Sequence, residues 1–321
     1  MNNSYFIVER SGIHTTFQDS GYAHLQHLGI TTGGVIDNNL FKIANKLLRN
    51  DPNETIIEFA YQGPRLRLEK GNTHIVVTGD VYFIIRKKSE NFIEKKGETF
   101  KTYQLNEGDI IDILATKSSV YGYFSIAGGF NIKKYNNSGS TLVRSSIGPN
   151  EGRCLQENQF IRFNFETISK NLKQLSFFSN NKDNIIRVLE GPQINYFSSE
   201  TIKNFFKKNF TISNISDRMG IRLEGNKILS NNSSNIPSEG IIKGSIQIPG
   251  DGNPIVLMVD HPTIGGYPKI ATVVLDDIAK LANISAGKEI FFQKVSFERA
   301  EKLCNENEQY LNKVFQSLIS I

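Results

Sequence analysis

The residues best suited to chemistry lie between positions 238 and 269, where polar side chains alternate with glycine-rich turns. Glu239 could act as a general base or orient a water molecule. Lys269 could hold an anion, and the amides of Gln247 or Asn253 could donate a hydrogen bond to a carbonyl oxygen. Short apolar strands separate these positions, so folding should gather the polar loops at one rim. The pattern predicts a pocket that polarises a planar carbonyl compound.

The same stretch holds a histidine and a glycine-rich turn. We predict that His261, which lies beside one of these loops, joins the glutamate and the lysine as a catalytic residue. Gly265, Gly266 and Tyr267 are predicted to contact the substrate, because glycine lets the backbone approach a ligand closely. Two alternatives stay open: His261 as a hydrogen-bonded structural residue, and the whole stretch as a set of tight turns.

An arginine motif precedes this stretch. Arg218 and Arg222 lie four residues apart, and guanidinium groups make forked contacts with carboxylates. Arg218 is therefore predicted to contact the substrate. The alternative is structural, in which Asp217 pairs with Arg218 or caps a turn.

Two earlier segments also combine glycine with polar side chains. Thr16 and Gln18 precede Gly21, and this segment could bind an anionic or carbonyl ligand through side chains and backbone amides. Its alternative is a turn leading to a capped helix. The hydroxyl groups of residues 138–141 could bind phosphate or carboxylate, or the segment could be an ordinary strand-to-loop transition.

Several classes of protein are excluded by what the sequence lacks. It has no phosphate-binding loop, no His-Glu-x-x-His and no Gly-x-Ser-x-Gly. Its two cysteines cannot build a disulfide framework or a four-sulfur metal site, so no metal is predicted. The net charge of +5 is spread along the chain, which argues against nucleic acid. No apolar run reaches the roughly 18 residues of a membrane helix, and no signal peptide is visible. These features predict a cytoplasmic protein.

The elements that must position these residues are mostly short strands. Runs rich in β-branched and aromatic residues, punctuated by glycine, proline or asparagine, predict a mainly-β fold with two barrel-like halves. The predicted strands are His74–Thr78, Val81–Ile85, Asp109–Leu114, Tyr121–Ala127, Ile185–Leu189, Ile255–Val259 and Ile270–Leu275.

A few helices complete the prediction, each with an expected cap. Asp37 should cap a helix to Arg49, and Ser198 or Ser199 a helix to Lys208. Asp276 should cap a short helix to Ala282, and a long amphipathic helix should run over 296–320. Polar stretches at 169–184 and 230–235 are typical of linkers and loops. The predicted domains are residues 1–170 and residues 185–321, the second including the C-terminal helix.

The ordered set of these motifs resembles the allophanate hydrolase subunit 2 family, also called the carboxyltransferase-subunit family. The resemblance spans about residues 12–297. The matching segments are Thr15–Gly21, Asp37 with Ala44, Asn45 and Leu47, Glu58, Gly63–Pro64, Gly128–Gly129, Gly139–Ser140, Gly191–Gln193, Ser216–Gly220, Ser238–Gly240 and Gly265–Lys269.

The resemblance implies a cyclophilin-like β-barrel fold and a complex with partner subunits. Family members include the C subunit of 5-oxoprolinase, which acts with A and B subunits to open 5-oxo-L-proline to L-glutamate using ATP. They also include a carboxyltransferase part of urea carboxylase, which takes a carboxyl group from biotin. A third possibility is a regulatory antagonist that binds a homologue of the B subunit, a kinase inhibitor. Both enzymatic possibilities require polarisation of a planar amide.

Overall fold

A computed structural model describes residues 4–163, 172–175, 178, 183–231 and 233–320. The chain folds into two compact units. The first comprises Met1–Tyr22, Asp37–Ser179 and Leu311–Ile321, and the second comprises Ala23–Ile36 and Asn180–Tyr310. Within the described ranges, no helix is both long enough and apolar enough to cross a membrane.

Strands dominate the secondary structure. They are β1 (Ser4–Arg10), β2 (Thr16–Gln18), β3 (Ile56–Ala60), β4 (Arg65–Lys70), β5 (Thr73–Thr78), β6 (Val81–Arg86), β7 (Glu94–Lys96), β8 (Thr102–Leu105), β9 (Ile110–Thr116), β10 (Tyr121–Ile126), β11 (Phe160–Phe163), β12 (Lys173–Leu175), β13 (Ile185–Glu190), β14 (Phe210–Ile212), β15 (Gly220–Gly225), β16 (Glu239–Gly240), β17 (Ser245–Gln247), β18 (Ile255–Leu257), β19 (Ile264–Gly265), β20 (Lys269–Val273), β21 (Glu289–Lys294) and β22 (Leu318–Ser320). The α-helices are α1 (Asn38–Leu48), α2 (Pro149–Gly152), α3 (Ser199–Lys207), α4 (Leu275–Ala282) and α5 (Phe297–Gln316).

The first unit is built on two antiparallel sheets. Their strand orders are β11-β1-β4-β9-β6-β7 and β2-β3-β10-β5-β8, and β12 pairs separately with β22. In β1 and β6 buried residues alternate with more exposed ones, as expected for strands with one face in the core. The hydrophobic core of this unit includes the buried rings of Phe6, Phe59, Phe83, Phe124 and Phe163.

Helix α1 covers the five-stranded sheet. Strands β5 and β10 are buried at every position because α1 packs against both of them. The helix begins after Asp37, whose carboxylate accepts the backbone N–H groups of Asn39 and Leu40 at 3.0 Å each. Burial, the largest cause, together with the nearby charge of Glu58, raises the pKa of Asp37 to about 6 although these N–H groups oppose the shift. The capping carboxyl group is therefore one whose ionised form is disfavoured in the folded protein.

The second unit contains a closed barrel with strand order β13-β20-β17-β18-β15-β14-β21. Neighbouring strands are antiparallel except β13 and β21, which run parallel. Helix α3 packs the ring of Phe205 on that of Phe292, with centroids 4.7 Å apart and planes 14° apart. Helix α4 is held to the barrel by Asp277, whose Oδ2 accepts a hydrogen bond from Arg187 Nε at 2.8 Å. The barrel provides the fixed strand ends on which loops can place polar side chains.

The mainly-β prediction is confirmed, and the closed barrel lies in the second unit. All seven predicted strands are present with shifts of one or two residues at their ends. Asp37 and Ser198 cap α1 and α3 as predicted. The loop predicted at 230–235 is irregular where the structure describes it.

Three local predictions are wrong. Helix α4 begins two residues earlier than expected, so Val274 is the N-cap and Asp276 lies inside the first turn. The C-terminal helix stops at Gln316, because Leu318–Ser320 forms a strand paired with Lys173–Leu175. That pairing also places a strand inside the predicted linker at 169–184, most of which lies outside the described residues.

Candidate functional site

Strand pairing in the second unit brings several predicted site residues together. In the barrel, β17 pairs with β20 so that Gln247 lies opposite Lys269, beside a bulge at Ile246. The short strands β16 and β19 form a two-stranded ribbon in which Glu239 lies opposite Gly265. These two pairings converge, because the Lys269 ammonium group contacts the Glu239 carboxylate.

An ion pair is the centre of this cluster. The Lys269 side chain is 4% exposed, whereas that of Glu239 is 43% exposed, so the pair spans the boundary between interior and solvent. Gln193 ties both residues together: its Nε2 donates to Glu239 Oε1 at 2.9 Å, and its Oε1 accepts the backbone N–H of Lys269 at 3.2 Å. Pairing with Lys269, followed by the hydrogen bond from Gln193, lowers the pKa of Glu239. Because a carboxylate with a lowered pKa is a weak proton acceptor at neutral pH, this geometry favours orientation of Lys269 over general-base catalysis.

A buried amide donor lies next to the ion pair. Gln247 is 6% exposed, and its Nε2 has no hydrogen-bond partner among the residues described. The amide sits against the backbone of Gly265, where an added Cβ would come within 2.5 Å of Gln247 Nε2. A buried N–H group without an acceptor costs about 1–3 kcal/mol, so an acceptor supplied by a ligand would remove that penalty. The cluster can thus offer a carbonyl oxygen one neutral donor and one nearby cation.

The predicted catalytic histidine is tightly packed. His261 is 1% exposed, and its Nδ1 lies 2.6 Å from the carbonyl oxygen of Pro262. Burial lowers the pKa of His261, and the positive charge of Lys243 acts in the same direction. A neutral ring that donates from Nδ1 satisfies this contact. The hydrogen bond matches the structural alternative, and the catalytic role of His261 stays a prediction.

Arg218 is engaged in a buried ion pair. Its Nε and Nη2 contact the two carboxylate oxygens of Asp260 at 2.8 and 2.9 Å, and Nη2 also donates to the carbonyl of Gly34 at 2.7 Å. Asp217 accepts the N–H of Met219 at 2.8 Å and so caps a turn. The guanidinium group therefore ties the segment 23–36 to the barrel, and a contact between Arg218 and substrate stays a prediction.

The remaining predicted residues of the second unit lie at turns. Asn253 donates from Nδ2 to Asp251 at 2.9 Å within the turn before β18. A Cβ added at Gly266 would lie 3.2 Å from the carbonyl oxygen of Ile236. The side chain of Tyr267 is 38% exposed. Their contacts with substrate stay predictions.

Thr16 and Gln18 belong to the first unit and are fully buried there. Gln18 Nε2 donates to Thr16 Oγ1 at 2.9 Å and to the carbonyl of Thr141 at 3.0 Å. Gln18 Oε1 has no partner in the described part of the chain, which leaves one buried acceptor available. A role in substrate binding stays a prediction for both residues.

The serine motif at 138–141 holds a carboxylate of the protein itself, and binding of a phosphate or carboxylate ligand there stays a prediction. The hydroxyls of Ser138 and Ser140 each donate to Asp19 Oδ1 at 2.7 Å, and the N–H of Gly139 donates to Oδ2 at 2.6 Å. The N–H of Gly21 adds a fourth bond at 2.8 Å. Two motifs far apart in sequence therefore form one buried hydrogen-bonded cluster.

Comparison with known proteins identifies the family of the chain. Residues 28–294 match the family model for the carboxyltransferase domain, subdomain A and B. The chain belongs to the carboxyltransferase domain family. It is 32% identical over 299 residues to the 5-oxoprolinase C subunit of Haemophilus influenzae, covering 93% of this chain and 94% of that protein. The protein of the same name from Escherichia coli is 29% identical over 313 residues, covering 95% of this chain and 96% of that protein.

Solved structures of carboxyltransferase-domain proteins share the fold. The urea amidolyase of K. lactis superposes with a TM-score of 0.86 at 25% identity, over 98% of this chain and 20% of that one. The Kluyveromyces lactis urea carboxylase gives the same TM-score and identity, over 100% of this chain and 30% of that one. The chain therefore corresponds to one part of these larger proteins.

Two residues that the structure places in polar clusters were not predicted as site residues. Gln193 is part of a Gly-Pro-Gln motif, whose glycine and proline indicate a turn but not the partner of the amide. Asp19 follows Gln18 directly, and the local sequence does not indicate that Asp19 is buried and accepts four hydrogen bonds. No group of three or more metal-binding side chains occurs among the described residues.

Proposed function

We propose that this chain is the C subunit of an ATP-dependent 5-oxoprolinase, which opens 5-oxo-L-proline to L-glutamate together with A and B subunits. Similarity over nearly the whole of both chains to the Haemophilus influenzae protein supports this assignment. The observation that carries it structurally is the buried Nε2 of Gln247, which has no hydrogen-bond partner in the part of the chain that the structure describes and lies beside the Lys269–Glu239 ion pair. A lactam is a planar amide, and this cluster has the donors that such a group requires.

Each residue of the cluster has a distinct role in this proposal. Gln247 Nε2 donates to the lactam oxygen, and the Lys269 ammonium stabilises the negative charge that develops on that oxygen. Glu239 and Gln193 act as positioning residues that hold Lys269. In the overall reaction the oxygen of water bonds to the carbonyl carbon, the carbon–nitrogen bond breaks and the nitrogen takes a proton. ATP hydrolysis in the complex drives the ring opening.

The test is reconstitution of the complex from all three of its subunits. Glutamate formation from 5-oxoproline and ATP is measured for the wild type and for Gln247→Leu. We expect kcat to fall about 10²–10³-fold, the usual effect of removing one donor to a developing oxyanion. Gln293→Leu is the matched control, because Gln293 is exposed on β21 of the same barrel. A verified wild-type complex that forms no glutamate would overturn the proposal.

A biotin-dependent carboxyltransferase is the second candidate, favoured by the TM-score of 0.86 with urea amidolyase. The ureido group of biotin is also a planar carbonyl compound, so Gln247 and Lys269 suit its oxygen as well. Bound biotin would supply a carboxyl group for transfer. Turnover that requires bicarbonate and a biotinylated carrier, with no activity on 5-oxoproline, would establish this alternative.

A further inference from the structure

The first unit contains a cavity lined by positively charged side chains. Its volume is about 550 Å³, inside the range of roughly 300–1,000 Å³ for small-molecule sites. The cations belong to two elements of the unit, and the apolar part of the lining comes mainly from the C-terminal segment. The lining includes Lys42, Lys46, Arg49, Lys173, Phe315 and Leu318.

Helix α1 and its C-cap supply three of the cations from one exposed face. Lys42, Lys46 and Arg49 follow one another at spacings of four and three residues, which places them on one side of the helix. The opposite face is buried on the sheet through Ile43 and Leu47. The helix thus directs three positive charges away from the core and into one cavity.

Among the described residues, no carboxylate neutralises this cluster. Within the residues that the structure describes, none of the four cations forms an ion pair, and no acidic side chain lines the cavity. Lys173 Nζ contacts a neutral group, the hydroxyl of Ser320, at 3.2 Å. Lys42 and Lys46, as like charges four residues apart, repel each other. An anionic ligand would remove this repulsion and satisfy the donors.

The cavity also has an aromatic wall. Lys46 Nζ lies 5.7 Å from the centroid of the Phe315 ring, which is half-buried. Leu318 and Pro52 extend the apolar surface. A ligand that fits must combine several negative charges with a flat apolar part, because inorganic phosphate alone would leave the aromatic wall uncovered.

We propose that this cavity binds a nucleoside triphosphate, with its phosphates among the four cations and its base against Phe315. The choice of a nucleotide over other organic polyanions rests on the proposed function, whereas the cavity and its charge do not. The binding can be measured with the full chain alone, so its failure is distinguishable from a complex that lacks 5-oxoprolinase activity.

The experiment is calorimetric titration of the full chain with ATP, AMP and inorganic triphosphate. We expect ATP to bind more tightly than AMP. The double substitution Lys42→Gln/Lys46→Gln should lower the affinity for ATP by roughly tenfold or more. The matched control is Lys203→Gln/Lys207→Gln, which removes two exposed lysines at the same spacing from α3. Phe315→Leu should lower the affinity for ATP and leave the affinity for inorganic triphosphate unchanged.

Three results would overturn the proposal. The first is no binding of ATP at millimolar concentration. The second is an equal effect of the α1 and α3 double substitutions, which would indicate nonspecific attraction. The third is normal ATP binding by the α1 variant together with loss of B-subunit binding, which would assign the basic cavity to a protein partner.

Discussion

Replacing Gly265 by alanine tests the cluster without removing any of its polar groups. An added Cβ would lie 2.5 Å from Gln247 Nε2, whereas ordinary contact begins near 3.4 Å. The amide must therefore retreat by about 1 Å, far enough to break a hydrogen bond to a substrate oxygen. The two atoms closer than 3.4 Å to the added Cβ are Gln247 Nε2 and Ile241 Cδ1, the latter at 3.1 Å, and both are side-chain ends. No positive φ occurs at Gly265, so the change should cost little stability.

The expected result is a loss of activity in a folded protein. Misplacing a catalytic donor by about 1 Å costs on the order of 10²-fold in rate, and we expect Gly265→Ala to lower kcat by about that factor in the reconstituted complex. The thermal midpoint should stay near that of the wild type. Gly240→Ala is the control, because Gly240 lies on the paired strand β16 and no atom of the described residues comes within 4 Å of an added Cβ there. Full activity in Gly265→Ala would refute the role assigned to Gln247.

Two further predictions concern buried carboxyl groups in the first unit. The folded pKa of Asp37, about 6, lies above its ordinary value of 3.8, so the native state binds the proton more tightly. Ionisation of this group therefore lowers the free energy of unfolding of the wild type as pH rises from about 4 to 6. Asp37→Asn cannot ionise and keeps a good cap. Across that window its free energy of unfolding should rise relative to that of the wild type by up to ~3 kcal/mol. Asp19→Asn should lower the free energy of unfolding by about 1–3 kcal/mol, because an amide cannot accept all four donors.

Urea unfolding measures both effects. For Asp37 the decisive quantity is the difference between variant and wild type at pH 4 and at pH 7, and an unchanged difference would contradict the raised pKa. For Asp19 the control is Asp51→Asn, since the Asp51 carboxylate lies in an exposed turn and accepts one N–H from Asn53 at 2.9 Å. Equal stability of the two variants would contradict the role of the buried cluster.

The elements that were predictable depend on neighbouring residues. Asp37 caps α1 because its side chain reaches N–H groups two and three residues ahead, and such short-range contacts depend only on the local sequence. The buried strands were visible for the same reason, through their β-branched and aromatic residues. The loops around Glu239 and Lys269 were recognisable as turns bearing polar side chains.

The features that were missed depend on distant partners. Asp19 meets Ser138 and Ser140 across 119 and 121 residues, and no local pattern pairs them. Gln193 reaches Glu239 across 46 residues. The segment 173–175 has a polar composition typical of a linker, yet it becomes a strand because Leu318–Ser320 supplies the missing hydrogen bonds. Long-range pairing can override local composition in this way.

The segment 23–36 has a consequence for how the protein reaches its native state. It is made early, between two parts of the first unit, yet its Gly33 N–H and Gly34 carbonyl bond to Val259 and Arg218 more than 180 residues later. The last strand of the first unit, β22, is likewise made after the whole barrel. The first unit therefore cannot be completed until the second has been synthesised, and cutting the chain once cannot yield two complete fragments. We expect slow, interdependent folding with a high contact order.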